Sequence, residues 1–225
     1  MVSFGLSETF MEKKEMKVLE QIYKETESPE AFVRGYFSYL AELLDRLEIQ
    51  PIVAFINELE NARSRGATIF IVGNGGSAAT ASHMANDIGV DVMKKGNPDR
   101  PFRAMSLTDN VSVMTAIAND SGYENIFVNQ LRIHYRPDDM LVAISASGNS
   151  PNVVEVAQWV KAHGGRIVTI TGFDGGKLKV MADIAIHVNT PKGEFGPVED
   201  IHMIVDHVVA NWLVHDRAAY RCKQK

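Results

Sequence analysis

Thr68-Ile69-Phe70-Ile71-Val72-Gly73-Asn74-Gly75-Gly76-Ser77-Ala78 is the stretch that decides the fold. Its first five residues are apolar or β-branched without interruption, as expected of a strand buried on both faces. Three glycines and an asparagine then turn the chain into a helical pattern. A buried strand delivered straight into a glycine-rich helix start is the opening unit of a parallel α/β sheet. The same turn suits an anion. Glycine lets backbone come close to a ligand, and a helix start offers N–H groups and a positive dipole end.

Further apolar runs lie downstream at Met140 to Ile144, Arg166 to Ile170 and Ile184 to Val188, with a weaker one from Arg103 to Leu107. Helical segments separate them. This predicts a doubly wound α/β fold: a five-stranded parallel sheet flanked by helices, binding ligands beyond the carboxyl ends of its strands. Upstream, the chain is helical. Leu6 to Glu25 carries a weak apolar stripe. Ser28-Pro29 is a helix start, followed by Phe32, Tyr36, Tyr39, Leu40, Leu43, Leu44 and Leu47 at helical spacing. A third helix follows Gln50-Pro51 and closes at Gly66. These stripes are packing surfaces, within the chain or between subunits.

The length of 225 residues suits one large domain with a helical extension. A net charge of −5 supplies no positive field for bulk nucleic acid or anionic membrane. The N-terminal segment does not resemble a signal peptide, and no apolar run approaches the ~20 residues of a membrane span. The cytoplasm is the expected location. The single cysteine, Cys222, sits in a basic tail from Arg221 to Lys225 and is read as incidental.

A second loop carries the ligand chemistry. The run ending at Ile144 continues into Ser145-Ala146-Ser147-Gly148-Asn149-Ser150-Pro151, where a helix begins. Three serines around a glycine can wrap hydroxyls and backbone N–H groups about a phosphomonoester without arginine. The plainer alternatives are a bare strand-to-helix turn for the first loop and a helix cap for Ser150. Gly73 to Ala78 also fits the dinucleotide pattern G-x-G-x-x-A. Its acidic partner would have to be Asp91 or Asp99, both in polar, non-strand surroundings, so no nucleotide cofactor is expected.

Two helices carry titratable pairs. His83 and Asp87 stand at i, i+4 and share a face. The last helix holds Glu199, His202, Asp206 and His207; Glu199 and His207 are separated by about 80° of rotation. The two pairs could act as acid and base, or form a two-histidine, two-carboxylate metal site. As a third alternative, each is a solvated polar residue. His134, His163, His187 and His215 show no partner pattern, and His202 is expected to pack beside the site or a subunit neighbour. Asp109 is either a ligand contact or a helix cap.

Gly73 to Ser77 together with Ser145 to Ser150 resembles the paired signature of the SIS (sugar isomerase) family. Asp109, Ile117 to Asp120, Thr169 to Gly176 and Glu199 to His202 are similar to the phosphoheptose isomerases within it. The resemblance covers about residues 35 to 215. It implies a flavodoxin-like SIS domain over 28–225, with 1–27 as an N-terminal helical extension packed on a neighbouring subunit. It also implies a homotetramer whose active sites are completed by neighbours. The implied reaction is the aldose–ketose isomerisation of sedoheptulose 7-phosphate to D-glycero-D-manno-heptose 7-phosphate. Asn74, Gly75, Ser77, Asp109, Asn119, Asp120, Ser145, Ser147 and Ser150 would hold the substrate. Asp87 or Glu199 would be the base and His207 the acid, or one zinc ion per subunit would sit on His83, Asp87, Glu199 and His207.

The chain departs from that family at four places. Asp87 stands for a glutamate, Glu199 for a glutamine, Ala146 for a threonine, and Gly196 for an aspartate. These changes face the sugar rather than the phosphate. The alternatives are an isomerase for another sugar phosphate, or a non-catalytic SIS protein that senses a sugar phosphate or binds a replication initiator. Retention of His207 beside carboxylates favours an enzyme.

Overall fold

The computed structural model describes residues 16–95 and 100–216. Residues 6–15 of the expected first helix, Asp99, Cys222 and the basic tail lie outside the described residues.

Five strands form the sheet: β1 (Thr68–Val72), β2 (Arg103–Ser106), β3 (Met140–Ser145), β4 (Arg166–Phe173) and β5 (Ile184–Asn189). All pair in parallel, in the order β2-β1-β3-β4-β5. β1 and β3 are buried along their whole length. β2 is an edge strand with Arg103 and Met105 exposed, which explains its weaker apolar signal. The chain moves outward from β1 to β2 and then returns to β3 on the other side of β1. This reversal opens a crevice beyond the carboxyl ends of β1 and β3.

Helices cover both faces. On one side lie α1 (Val18–Glu25), α2 (Pro29–Asp45), α3 (Ile49–Arg65), α4 (Gly76–Asn86) and α10 (Phe195–His215). Phe55, Leu59, Met84, Ile88, Ile201 and Val205 pack there against Ile69, Ile71, Val142 and Ile170. On the other side lie α6 (Val111–Ser121), α7 (Val128–His134), α8 (Pro151–Ala162) and α9 (Gly176–Met181), around Phe70, Leu141, Phe127 and Val156. A π-helical turn, Asp87–Asp91, and the short α5 (Val92–Lys95) follow α4.

The start of α2 follows the sequence: Ser28 Oγ accepts from the Ala31 N–H at 3.2 Å, with Pro29 in the first turn. α3 stops at Gly66, whose φ of 74° is left-handed. The inner face of α1 packs on its own chain, through Val18, Leu19 and Ile22. The Leu19 N–H donates to Glu194 Oε1 at 3.1 Å, and the Tyr39 hydroxyl donates to Glu194 Oε2 at 2.6 Å. Glu194 thereby ties α1 and α2 to the start of α10. No helix among the described residues is long and apolar enough to cross a membrane.

Candidate active site

The two loops meet at the crevice. Gly75 adopts φ 53° and ψ −122°, a conformation open to glycine, and turns β1 into α4. Asn74 and Asn152 exchange a pair of 2.8 Å side-chain hydrogen bonds, which lock the first loop to the first turn of α8. Asn152 is buried, and the Tyr123 hydroxyl also donates to Asn74 Oδ1 at 3.1 Å. Neither Asn152 nor Tyr123 stood out in the sequence, because nothing local to them predicts a contact so distant along the chain.

The serine loop is built from its own hydroxyls. Ser145 Oγ lies 3.3 Å from Ser150 Oγ and accepts from the Gly148 N–H at 3.2 Å. Ser147 Oγ accepts from the Asn149 N–H. Gly148, at φ 62°, lies so close to the loop after β4 that an added Cβ would come within 1.9 Å of the Gly175 carbonyl oxygen. Asn149 Oδ1 in turn accepts from the Lys177 N–H at the start of α9. Ser77 and Ser145 are buried, while Ser147 and Ser150 are partly exposed. Two helix starts and four serines therefore converge on one crevice, the donor set that an anion requires.

α4 and α10 run side by side away from the crevice. Glu199 lies over the first residue of α4: a Cβ on Gly76 would come within 2.3 Å of Glu199 Oε2. Burial, and then the neighbouring Asp200 charge, raise the Glu199 pKa. Two turns further on, His83 Nε2 lies 3.1 Å from His207 Nε2 and 3.4 Å from Asp87 Oδ2. Donor atoms of His83, Asp87 and His207 all lie within 4.8 Å of one another. Glu199 is not part of this cluster. Helical rotation turns it to the same side as His207, but eight residues also separate the two by about 12 Å of rise. The expected four-residue set is thus divided: three side chains at the far end and Glu199 beside the phosphate loops.

Two imidazole nitrogens and a carboxylate are a zinc-type donor set. A second observation fits a cation here. Asp206, next to His207 in sequence, is fully buried with neither oxygen hydrogen-bonded by the protein. Burial, and then the Asp87 charge, push its pKa up to about 7. His202 is also fully buried. It lies by the Thr171 backbone, yet neither ring nitrogen completes a hydrogen bond, and burial lowers its pKa to about 4.

Asp109 accepts a short hydrogen bond from Ser82 Oγ, and Ser82 also meets Thr108 at 2.9 Å. The cap of α6 is Asn110, whose Oδ1 accepts from the Val113 N–H, so Asp109 is left for the crevice side of α4. Asn119 and Asp120 are exposed near the end of α6 and bond to each other at 2.8 Å. The link from that segment to the loops is Tyr123. His187 accepts or donates at Thr171 Oγ1 at 3.1 Å, and the ring nitrogens of His163 and His215 meet carbonyls one turn earlier in their own helices.

Residues 35–172 match the SIS domain family. A phosphoheptose isomerase from Rhodospirillum rubrum is 34% identical over 186 residues, covering 82% of this chain and 96% of that protein. One from Nitratidesulfovibrio vulgaris is 38% identical, covering 80% of each. The solved structure of a phosphoheptose isomerase from Neisseria gonorrhoeae superposes with a TM-score of 0.72 at 28% identity, over 83% of this chain and 98% of that one. The chain belongs to the SIS-domain family and, within it, to the phosphoheptose isomerases.

Proposed function

We propose that the protein interconverts sedoheptulose 7-phosphate and D-glycero-D-manno-heptose 7-phosphate. The observation that carries this reading is the distance between two chemistries on one helix. The phosphate cradle lies at the start of α4, and the His83–Asp87–His207 cluster lies about 10 Å along it. That span suits a long sugar phosphate held by its phosphate at one end and reacting at the other.

Ser77, Ser145, Ser147 and Ser150 hold the phosphate, with the Asn74 and Gly75 backbone closing the loop. Asp109, Asn119 and Asp120 contribute sugar contacts. The reaction removes a proton from C1 of the ketose, forms an enediol and returns a proton to C2. Asp87 carries that proton between the carbons, whereas Glu199 lies at the phosphate end, about 12 Å of helix rise from His207. With its ring nitrogen free of an ion, His207 donates to the developing oxygen at C2 and recovers a proton from the C1 hydroxyl as the aldehyde forms.

His83, Asp87 and His207 would hold a divalent ion, with zinc suited to the donor set. When bound, it supplies Lewis-acid polarisation of the sugar carbonyl. A homotetramer with sites completed by neighbours fits the exposure of His207 and of the apolar Val208 and Trp212 beside it. A phosphorylated sugar is confined by its charge to the compartment that makes it, which supports a cytoplasmic location.

The test is proton NMR of the enzyme with sedoheptulose 7-phosphate in D₂O, before and after chelation. Product carrying deuterium at C2 is expected, with loss of turnover on chelation. Absence of both product and exchange in every sample would turn the reading toward another sugar phosphate or a binding protein.

A further inference from the structure

The Tyr123 hydroxyl is held by a chain of hydrogen bonds whose direction is set by the backbone. The Val153 N–H donates to Asn152 Oδ1 at 3.0 Å. A backbone N–H can only donate, so that atom is the amide oxygen, and the buried Asn152 turns its NH₂ group to Asn74. Asn152 Nδ2 donates to Asn74 Oδ1 at 2.8 Å, and Asn74 Nδ2 returns a bond of 2.8 Å to Asn152 Oδ1. Asn74 Oδ1 is thereby an acceptor. The Tyr123 hydroxyl, 3.1 Å away, commits its single proton to it.

The reciprocal pair with Asn152 already clamps Asn74, so the third bond fixes Tyr123 more than it fixes the loop. With its proton engaged, the hydroxyl oxygen can only accept, and it has no other hydrogen-bond partner among the described residues. Tyr123 is 56% exposed, so that oxygen is open to a ligand. Its place relates it to both phosphate loops. Asn74 leads into the turn at Gly75, and Asn152 follows Ser150 in the first turn of α8. The 3₁₀ turn Tyr123–Asn125 itself follows α6, whose end carries Asn119 and Asp120. A fixed acceptor therefore stands where the phosphate cradle meets the α6 segment.

We infer that Tyr123 is a specificity residue of this site: its oxygen accepts a hydrogen bond from a substrate hydroxyl on a carbon close to the phosphate. It thereby selects phosphorylated polyols over phosphate esters with a bare alkyl chain. The serine hydroxyls and loop N–H groups read the phosphate alone and cannot make that distinction. This rests on the phosphate cradle of the reading above. One hydrogen bond between neutral groups changes affinity by about 2- to 12-fold.

The experiment is titration of the full-length protein with glycerol 3-phosphate and with propyl phosphate, at a pH where both are dianions. Both carry the same phosphomonoester on a three-carbon chain, and only the first has hydroxyls on the remaining carbons. Tyr123→Phe keeps the ring and removes the oxygen, and thermal unfolding checks that the exposed position leaves the fold intact. The variant should bind glycerol 3-phosphate about 2- to 12-fold more weakly than wild type does, with propyl phosphate affinity unchanged. KM for sedoheptulose 7-phosphate should rise by a similar factor. An equal loss on both esters would make Tyr123 a support of the loop and overturn its contact with substrate. Unchanged binding of both would overturn the contact and leave the phosphate cradle standing. A wild type that binds neither ester overturns the cradle as well.

Discussion

At the scale of single residues, the site separates groups that act from groups that hold the fold. His207 is exposed and meets the rest of the structure through His83. His207→Asn should therefore lower turnover by about 100-fold or more, while the melting temperature stays within a few degrees. Isomerisation assays beside thermal unfolding measure both. His202 is the opposite case, since its ring is buried without a hydrogen bond and its pKa is lowered from 6.5 to about 4. A base with a depressed folded pKa contributes stability that is complete above its unfolded value and lost as pH falls toward the folded one. The window here is pH 6.5 down to 4. The shift corresponds to roughly 3 kcal/mol. Chemical denaturation at pH 7 and pH 5 should show wild type losing part of this amount, and His202→Leu should flatten the slope. An unchanged slope in the variant would remove His202 as the cause.

At the scale of elements, two glycines in neighbouring loops should fail in different ways. Gly76 is helical, and what an added methyl would meet is the end of the Glu199 side chain. Gly76→Ala should displace that carboxylate and reduce activity. Stability should hold or rise slightly, because alanine favours a helix by up to about 1 kcal/mol over glycine. Gly148 is left-handed and faces backbone, so Gly148→Ala must separate the serine loop from the loop after β4. It should lose both phosphate binding and about 1 to 3 kcal/mol of stability, measured by titration with inorganic phosphate and by denaturation. These elements were legible in the sequence to different degrees. β1, β3 and β4 announce themselves because burial on both faces leaves runs of apolar and β-branched residues with a polar residue chiefly at their ends. Both loops follow from glycine and serine placed at strand ends, and the His83–Asp87 pair from helical spacing. The Asn74–Asn152 exchange is not legible, since it joins loops by topology. The distance of Glu199 from His207 was obscured because rotation alone ignores the rise along a helix. The orphaned state of Asp206 needs the packing of α10 on α4 before it means anything.

At the scale of the whole molecule, exposed apolar pairs indicate what one chain leaves uncovered. Val33 and Phe37 on α2, Ile49 and Val53 on α3, and Val208 and Trp212 on α10 each stand at i, i+4 and share an outward face. Trp212 is 56% exposed and lies beyond Val208, which adjoins His207. Large aromatic side chains beside functional residues are the groups that subunit contacts bury. Assembly and activity should therefore be coupled through α10. Trp212→Glu introduces a charge that an apolar interface excludes, at a position where the single chain tolerates it. Light scattering should show a smaller species than wild type, with far-UV circular dichroism unchanged. Activity should fall together with the mass, and dilution of wild type to the same state should reproduce the loss. A variant that keeps the wild-type mass and turnover would mean that the outer face of α10 is free, and that the His83–Asp87–His207 cluster works within one chain. A variant that dissociates yet remains active would separate assembly from chemistry and assign the exposed pairs to stability alone.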